Sequence, residues 1–484
     1  TVALAYDMSD NDGGTASSAV TITVTGTNDQ PAVEAVNVIP TTPTSYVETQ
    51  VNTTTPAGEP RLSITGLADG GYVVSWMSDG QDGNGWGVYT QQYANDGSTV
   101  GTETLVNTTT VNNQSYPSIT DLTGGGYVVS WQSIGQNGGD DGIYTQQYDS
   151  AGNTFGTETL VSTYTVGRIV RPTITDLADG GYVVSWWTNS QDDDGWGVYS
   201  QRYASDASTV GTETQVHTTT AKNQLHSAVT DLTDGGYVIS WMSYALDGSG
   251  YGIYTQRYAT DGSTVGPETL VNTTTVNDQF FPSITGLADG GYVISWQSKG
   301  QDGGGWGIYT QQYASDGGTV GTETLVNTTT ASDQQEPSIT GLADGGYVVS
   351  WQSSGQDGSS WGIYTQRYAN DGSTVGPETL VNTTTAAQQT RSAITDLADG
   401  GYVVSWQSDG QDGSGWGVYT QRYAADGSAV GTTQTVILES DGTETIYTGT
   451  LVLTTDLDTT DTHTFQIDPT SVSVVESSAA AVTD

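Results

Sequence analysis

Seven copies of Gly-Gly-Tyr-Val-(Val/Ile)-Ser-Trp, spaced 55 residues apart, constrain this chain more than any other feature. The first spans residues 70–76. Its Tyr72 returns at Tyr127, Tyr182, Tyr237, Tyr292, Tyr347 and Tyr402, and its Trp76 at Trp131, Trp186, Trp241, Trp296, Trp351 and Trp406. A fixed period without insertion means one supersecondary unit repeated, each copy too small to bury its own faces and so packed on its neighbours.

Within a copy, alternating β-branched and aromatic residues mark four strands, at 63–67, 72–78, 88–93 and 103–108 in the first. Turn chemistry separates them: Ala68-Asp69-Gly70-Gly71, the stretch 79–87, and Asn95-Asp96-Gly97. We name these strands A to D. Four short strands in seven copies predict an all-β fold, a seven-bladed β-propeller over 45–432.

A ring must join its last unit to its first. Residues 47–55, Val-Glu-Thr-Gln-Val-Asn-Thr-Thr-Thr, match the strand D pattern of 102–110 at seven of nine positions, while 432–440 match at two. The N-terminal segment is therefore expected to complete the blade whose strands A to C lie at 391–424. Closure also leaves only short, protected sheet edges.

Lys and Arg number 10 against 54 Asp and Glu, a formal net charge of −44 that repels phosphate backbones and anionic lipid surfaces. Nucleic acid is excluded as a partner on this ground. No apolar run reaches the 18 residues a spanning helix needs, so membrane insertion is not expected. The chain holds no Cys, hence no disulfide. It opens at Thr1 inside strand-like sequence, which reads as an excerpt from a longer polypeptide.

Candidate ligand-binding residues come from the column where otherwise similar copies differ. Just before strand A it reads Arg61, Tyr116, Arg171, His226, Phe281, Glu336 and Arg391. Strand A is the innermost strand of a blade, so these side chains are expected to ring one mouth of the channel, on the face shared by the B–C and D–A loops. Arg168, Lys222 and Phe280 lie nearby. Drift at a solvated loop tip is the competing explanation.

Carboxylates in the B–C loops are the candidate metal ligands, because calcium takes six to eight oxygens. Asp82, Asp192, Asp247, Asp302, Asp357 and Asp412 share a column, with Asp79, Asp194 and Asp409 close by. An Asx turn that orders the loop is the alternative. The hairpin resembles the Asp-box of sialidase-type propellers, displaced by one residue, and that resemblance implies a structural role.

The flanks have their own signatures. Asn28-Asp29-Gln30-Pro31 closes 1–40 and resembles the linker of cadherin-like or VCBS-type sandwiches, which implies calcium held by Asn28 and Asp29. Asp456, Asp458 and Asp461 in 433–484 resemble the calcium ligands that open another such module. With the repeats, these ends make the chain similar to large RTX-type bacterial adhesins. The resemblance implies export to the cell surface, neighbouring modules in the same polypeptide and Ca2+ as a bound ion.

Catalytic motifs are scarce: there are three His, and neither a Gly-x-Ser-x-Gly elbow nor His-Glu-x-x-His occurs. The expected function is thus a non-enzymatic extracellular adhesion module whose rim binds a glycan or protein. A purely structural spacer is the alternative, and a glycan-cleaving propeller hydrolase with carboxylates at Glu59, Glu336 or Asp193 is the third.

Overall fold

The computed structural model describes residues 48–430, apart from 56, 57, 139, 140, 165, 166, 190, 193 and 414, together with the backbone of six strands outside that span. Two compact units divide the chain, Glu48–Gly427 and, separately, Thr1–Val47 with Ser428–Asp484. In the second, Asn37–Pro40 pairs antiparallel with Thr433–Glu439, and Val2–Ser9 pairs with Thr15–Ile22 and with Ser473–Val474.

The first unit is the seven-bladed β-propeller that the repeat predicts. Blade 1 runs A (Leu62–Gly66), B (Tyr72–Asp79), C (Trp86–Tyr93) and D (Thr99–Leu105), each strand antiparallel to the next. The six blades that follow repeat this order. Strands A contact one another round the ring, including blade 7 with blade 1, whereas strands D are exposed at the perimeter.

Gly70 and Gly71 recur for two separate reasons. Gly70 has φ +87°, a left-handed conformation costly for a residue with a Cβ. A Cβ on Gly71 would lie 2.3 Å from the Tyr93 carbonyl oxygen, so the A–B turn closes only around glycine.

The period-two pattern of strand B gives each blade two unlike faces. Tyr72 stacks on Tyr93 with centroids 4.7 Å apart, and Trp76 lies over Tyr89 at 6.2 Å. Val73 and Val88 point the other way. The aliphatic face of blade 1, with Leu67 and Val106, packs against the aromatic face of blade 2, including Tyr127, Trp131 and Tyr148. The seven repeat tryptophans, Trp76 and its equivalents, are all 0 % exposed. Burial of about 150–250 Å² per ring makes this alternation the main source of cohesion.

Closure occurs as expected. Thr49 and Gln50 pair with Thr420 and Tyr419 of blade 7, and Val51 N–H donates to the Val418 carbonyl at 2.8 Å. Val403, Val418 and Leu397 of blade 7 join Tyr72, Trp76 and Tyr93 of blade 1 in one cluster, with Val51 among them.

Strand D differs from its expected bounds: it runs 99–105 in blade 1 rather than 103–108. Asn107 explains the early exit. Its Oδ1 accepts from Val88 N–H at 2.7 Å and its Nδ2 donates to the Thr109 carbonyl at 2.8 Å, so an amide side chain replaces the backbone ladder. Asn52 does the same for Val418 N–H at 2.7 Å across the closure. Asn52→Ala should therefore destabilise the propeller by about 1–3 kcal/mol, the cost of a buried donor left without an acceptor, and by as much as Asn107→Ala. Urea unfolding of both variants checks this, and an unaffected Asn52 variant would disconnect the closing strand from stability.

Candidate functional site

Register places the varied column. In blade 2, Ser118 opposes Ser130 and Ser115 opposes Gln132, so Tyr116 and Pro117 together face Trp131. This β-bulge recurs at the same place in blades 3 to 7. Its first residue is left-handed in every one of them: Tyr116, Arg171, His226, Phe281, Glu336 and Arg391 have φ between 51° and 55°. Non-glycine residues rarely adopt this conformation, and bulges re-aim side chains beside functional sites. In blade 1 Leu62 opposes Trp76 directly, and Arg61 is not left-handed.

The bulges gather the column into one mouth. A cavity of about 220 Å³ is lined by Arg61, Arg171, His226, Phe281, Glu336 and Arg391, with Pro282 and Pro337 beneath. Tyr116 lies between two arginines, its ring centroid 5.8 Å from the Arg61 guanidinium carbon and 4.8 Å from that of Arg171.

Three arginines at one mouth are not equivalent. Arg391 is neutralised by Glu59, with which it forms a short ion pair, and by Glu336 at 3.5 Å. Among the described residues, Arg61 and Arg171 form no salt bridge. Burial, with Arg391 next in weight, pulls the Arg61 pKa down to about 10, so it remains cationic at neutral pH. Arg171 Nη1 lies 3.3 Å from His226 Nδ1. Burial first, then Arg171 and Arg61, hold the His226 pKa down to about 3, so its imidazole is neutral and can accept that hydrogen bond.

Rings continue outward from the mouth. His226 meets Phe281 edge-on at 4.7 Å and Trp187 at 5.3 Å, while Trp187 meets Trp196 at 4.6 Å. Phe280 stacks on Trp306 at 5.2 Å and touches Tyr251 at 5.3 Å. Of the rings beyond the varied column, Trp187, Trp196, Tyr251, Phe280 and Trp306, only Phe280 was singled out by its position in the sequence. Trp187 left a trace, because its column otherwise holds Met or Gln.

The other end of the channel gathers carboxyl groups instead. Asp121, Asp176, Asp231 and Asp396 close strand A in four blades. Burial, then Asp396 and Asp231, raise the Asp121 pKa to about 6, and burial, then Asp121 and Asp231, raise that of Asp176 to about 8. Asp231 and Asp396 are also shifted upward, burial leading in both.

The B–C loop carboxylates serve as turn acceptors. Asp82 Oδ1 accepts from Asn84 N–H at 3.1 Å, and Asp302 and Asp357 repeat the contact. Asp412 accepts from Gln50 at 3.2 Å and from Thr55. Asp192 lies 3.6 Å from His217 Nε2, both side chains buried. Asp79 and Asp194 are exposed and Asp409 half-buried at loop edges. Among the described residues, no three His, Asp or Glu side chains converge as a metal site would require. Asn28, Asp29, Asp456, Asp458, Asp461 and Asp193 lie outside the described residues. Among the described residues, no helix is long and apolar enough to cross a membrane.

Neither a known protein family nor a curated protein matches this sequence. Solved structures do resemble it. A protein of unknown function from Dyadobacter fermentans is 12 % identical over 64 % of this chain and 94 % of its own, with a TM-score of 0.45. The α-L-arabinofuranosidase of Fusarium graminearum is 10 % identical over 80 % of this chain and 97 % of its own, TM-score 0.41. The leech intramolecular trans-sialidase is 10 % identical over 80 % and 71 %, TM-score 0.43. At such identities the likeness is to the fold, and no residue role is carried across. Enzymes stand among these structures, contrary to the expectation of a non-enzymatic chain, which rested only on the scarcity of sequence motifs.

Carboxylates with raised pKa values oppose folding once ionised. Their penalty is absent below the unfolded value near 4 and grows as pH rises through the folded value. The propeller should therefore gain stability on acidification from pH 8.5 towards 5. Asp176→Asn should raise stability at pH 8.5 by at least about 1 kcal/mol, the worth of one pKa unit, and lose that advantage by pH 4. Thermal unfolding across this range checks both, and a variant no more stable than wild type at pH 8.5 would contradict them.

Proposed function

We propose that the propeller binds the anionic group of an acidic saccharide at the channel mouth. The observation that carries this reading is the pair Arg61 and Arg171, cationic and without a salt bridge among the described residues, in a chain of net charge −44. Four of the ten basic residues, Arg202, Arg257, Arg367 and Arg422, pair with Asp179, Asp234, Asp344 and Asp399 within their own blades. Arg168 pairs with Asp141, and Arg391 with Glu59 and Glu336, so among the arginines of the described residues Arg61 and Arg171 alone form no salt bridge. A guanidinium pair suits a planar carboxylate, and charge-assisted hydrogen bonds are the strong kind. Phe281 and the neutral His226 supply faces on which a sugar ring can rest.

A second reading, hydrolysis of the bound glycan, is favoured by Glu59 and Glu336, which meet Arg391 from two sides. Paired carboxylates are what glycoside cleavage employs. The adhesin-like setting proposed from the repeats, a cell surface with neighbouring modules and calcium between them, fits either reading.

Calorimetric titration with uronate-bearing and neutral oligosaccharides tests the site. Acidic ligands should bind, with affinity falling as salt rises and flat between pH 5 and 8, because His226, held down to about 3, and Arg61, near 10, do not titrate there. Arg61→Gln combined with Arg171→Gln should weaken binding about tenfold or more. Equal binding of neutral sugars, or an unchanged double variant, would refute the site. Reducing sugar released by wild type and lost in Glu336→Gln would establish the second reading.

A further inference from the structure

The aromatic rings beside the mouth occupy one sector of the disc. At the position of Phe280, blades 6, 7 and 1 carry Gln335, Thr390 and Pro60, and at that of Tyr244 they carry Ser354, Asp409 and Asp79. Ring-to-ring contact runs without a break from His226 and Phe281 at the mouth through Phe280, 5.9 Å from Phe281, to Tyr251 and on to Tyr244 at 5.0 Å. Tyr244 is 42 % exposed, so the series ends at the surface.

A second branch from Phe280 leads through Trp306 to a cation. Lys299 Nζ lies 5.5 Å from the Trp306 ring, which stacks on Phe280. Lys299 is exposed and forms no salt bridge among the described residues. The sector therefore offers positive charge at the mouth, a run of rings, and positive charge again beyond them at the exposed end of strand B in blade 5. A single acidic sugar would use only the first of these.

We infer that the ligand is a linear acidic polysaccharide, extended from the mouth across blades 4 and 5. One anionic residue sits against Arg61 and Arg171, the following sugar rings stack on Phe281, Phe280 and Tyr251, and a later anionic group reaches Lys299. The inference rests on the mouth reading and adds a direction and a minimum length to it. Apolar sugar faces suit half-buried aromatic rings, and the unpaired lysine supplies the charge complement that a neutral chain would not need.

Titrating the whole chain with galacturonate monomer, trimer and pentamer at one low ionic strength tests this. Affinity should rise at least about tenfold from monomer to pentamer. Lys299→Gln and Tyr244→Ala, both at exposed positions, should each remove part of that gain while leaving monomer affinity unchanged. Phe280→Ala should remove most of it, with thermal unfolding reporting whether that variant folds. Monomer and pentamer binding alike, or the gain surviving in both exposed variants, would overturn the inference and leave the mouth site standing. Failure of both ligands to bind would overturn the mouth reading and this inference with it.

Discussion

One contact, repeated seven times, makes the ring a ring. Glu103 on strand D of blade 1 accepts from the backbone N–H and hydroxyl of Thr53, on the closing strand, at 2.9 and 3.0 Å. Glu158 does the same for Thr108, Glu213 for Thr163, and so on through Glu378 and Thr328. The series ends where Thr383 N–H donates to Glu48, 335 residues away in sequence. Near the axis a second series runs in parallel, with Thr65 Oγ1 accepting from Asp121 N–H at 3.1 Å and Thr395 Oγ1 from Gly66 N–H at 2.8 Å across the closure. Each is a modest hydrogen bond. Together they tie every blade to the next at the outer radius and, at six of the seven junctions, near the axis as well, which holds the aromatic face of each blade in register with the aliphatic face of its neighbour.

Closure turns seven distant positions into neighbours. Residues 55 apart in sequence meet at one mouth, and the left-handed bulge aims six of them there. Glu59, 332 residues from Arg391, reaches it only because blade 7 abuts blade 1. The axis is also electrically uneven. Arg61 and Arg171, without salt bridges among the described residues, lie at one mouth, and carboxyl groups with upward-shifted pKa values lie at the other end. On the proposed reading, this unevenness would steer an acidic ligand to one face although the whole chain is strongly acidic.

The repeat made much of this legible. Period, strand order and the borrowed strand all followed from residues 47–55 and the seven tryptophans, because each depends on local pattern alone. The varied column was legible too, since copying errors stand out against close copies. The bulge was not: it depends on two strand A residues facing a single buried tryptophan, which composition does not reveal. Nor were the aromatic sector and the glutamate series, whose members belong to different blades and meet only after packing. Carboxylates in the B–C loops illustrate the converse. Two readings were open from sequence, calcium ligand and Asx turn, and Asp82, Asp302 and Asp357 each accept a backbone N–H two residues on, as the turn requires. The expectation of a non-catalytic chain rested on missing motifs, and motifs are weak witnesses in a fold whose polar groups converge from seven separate loops.

A crystal structure of the protein with a bound uronate addresses the central claim most directly. The account predicts carboxylate oxygens at the channel mouth, within about 3 Å of guanidinium nitrogens of both Arg61 and Arg171, with Arg391 still held by Glu59 and Glu336. A uronate bound elsewhere on the disc, or either arginine turned away to a carboxylate of its own chain, would contradict it.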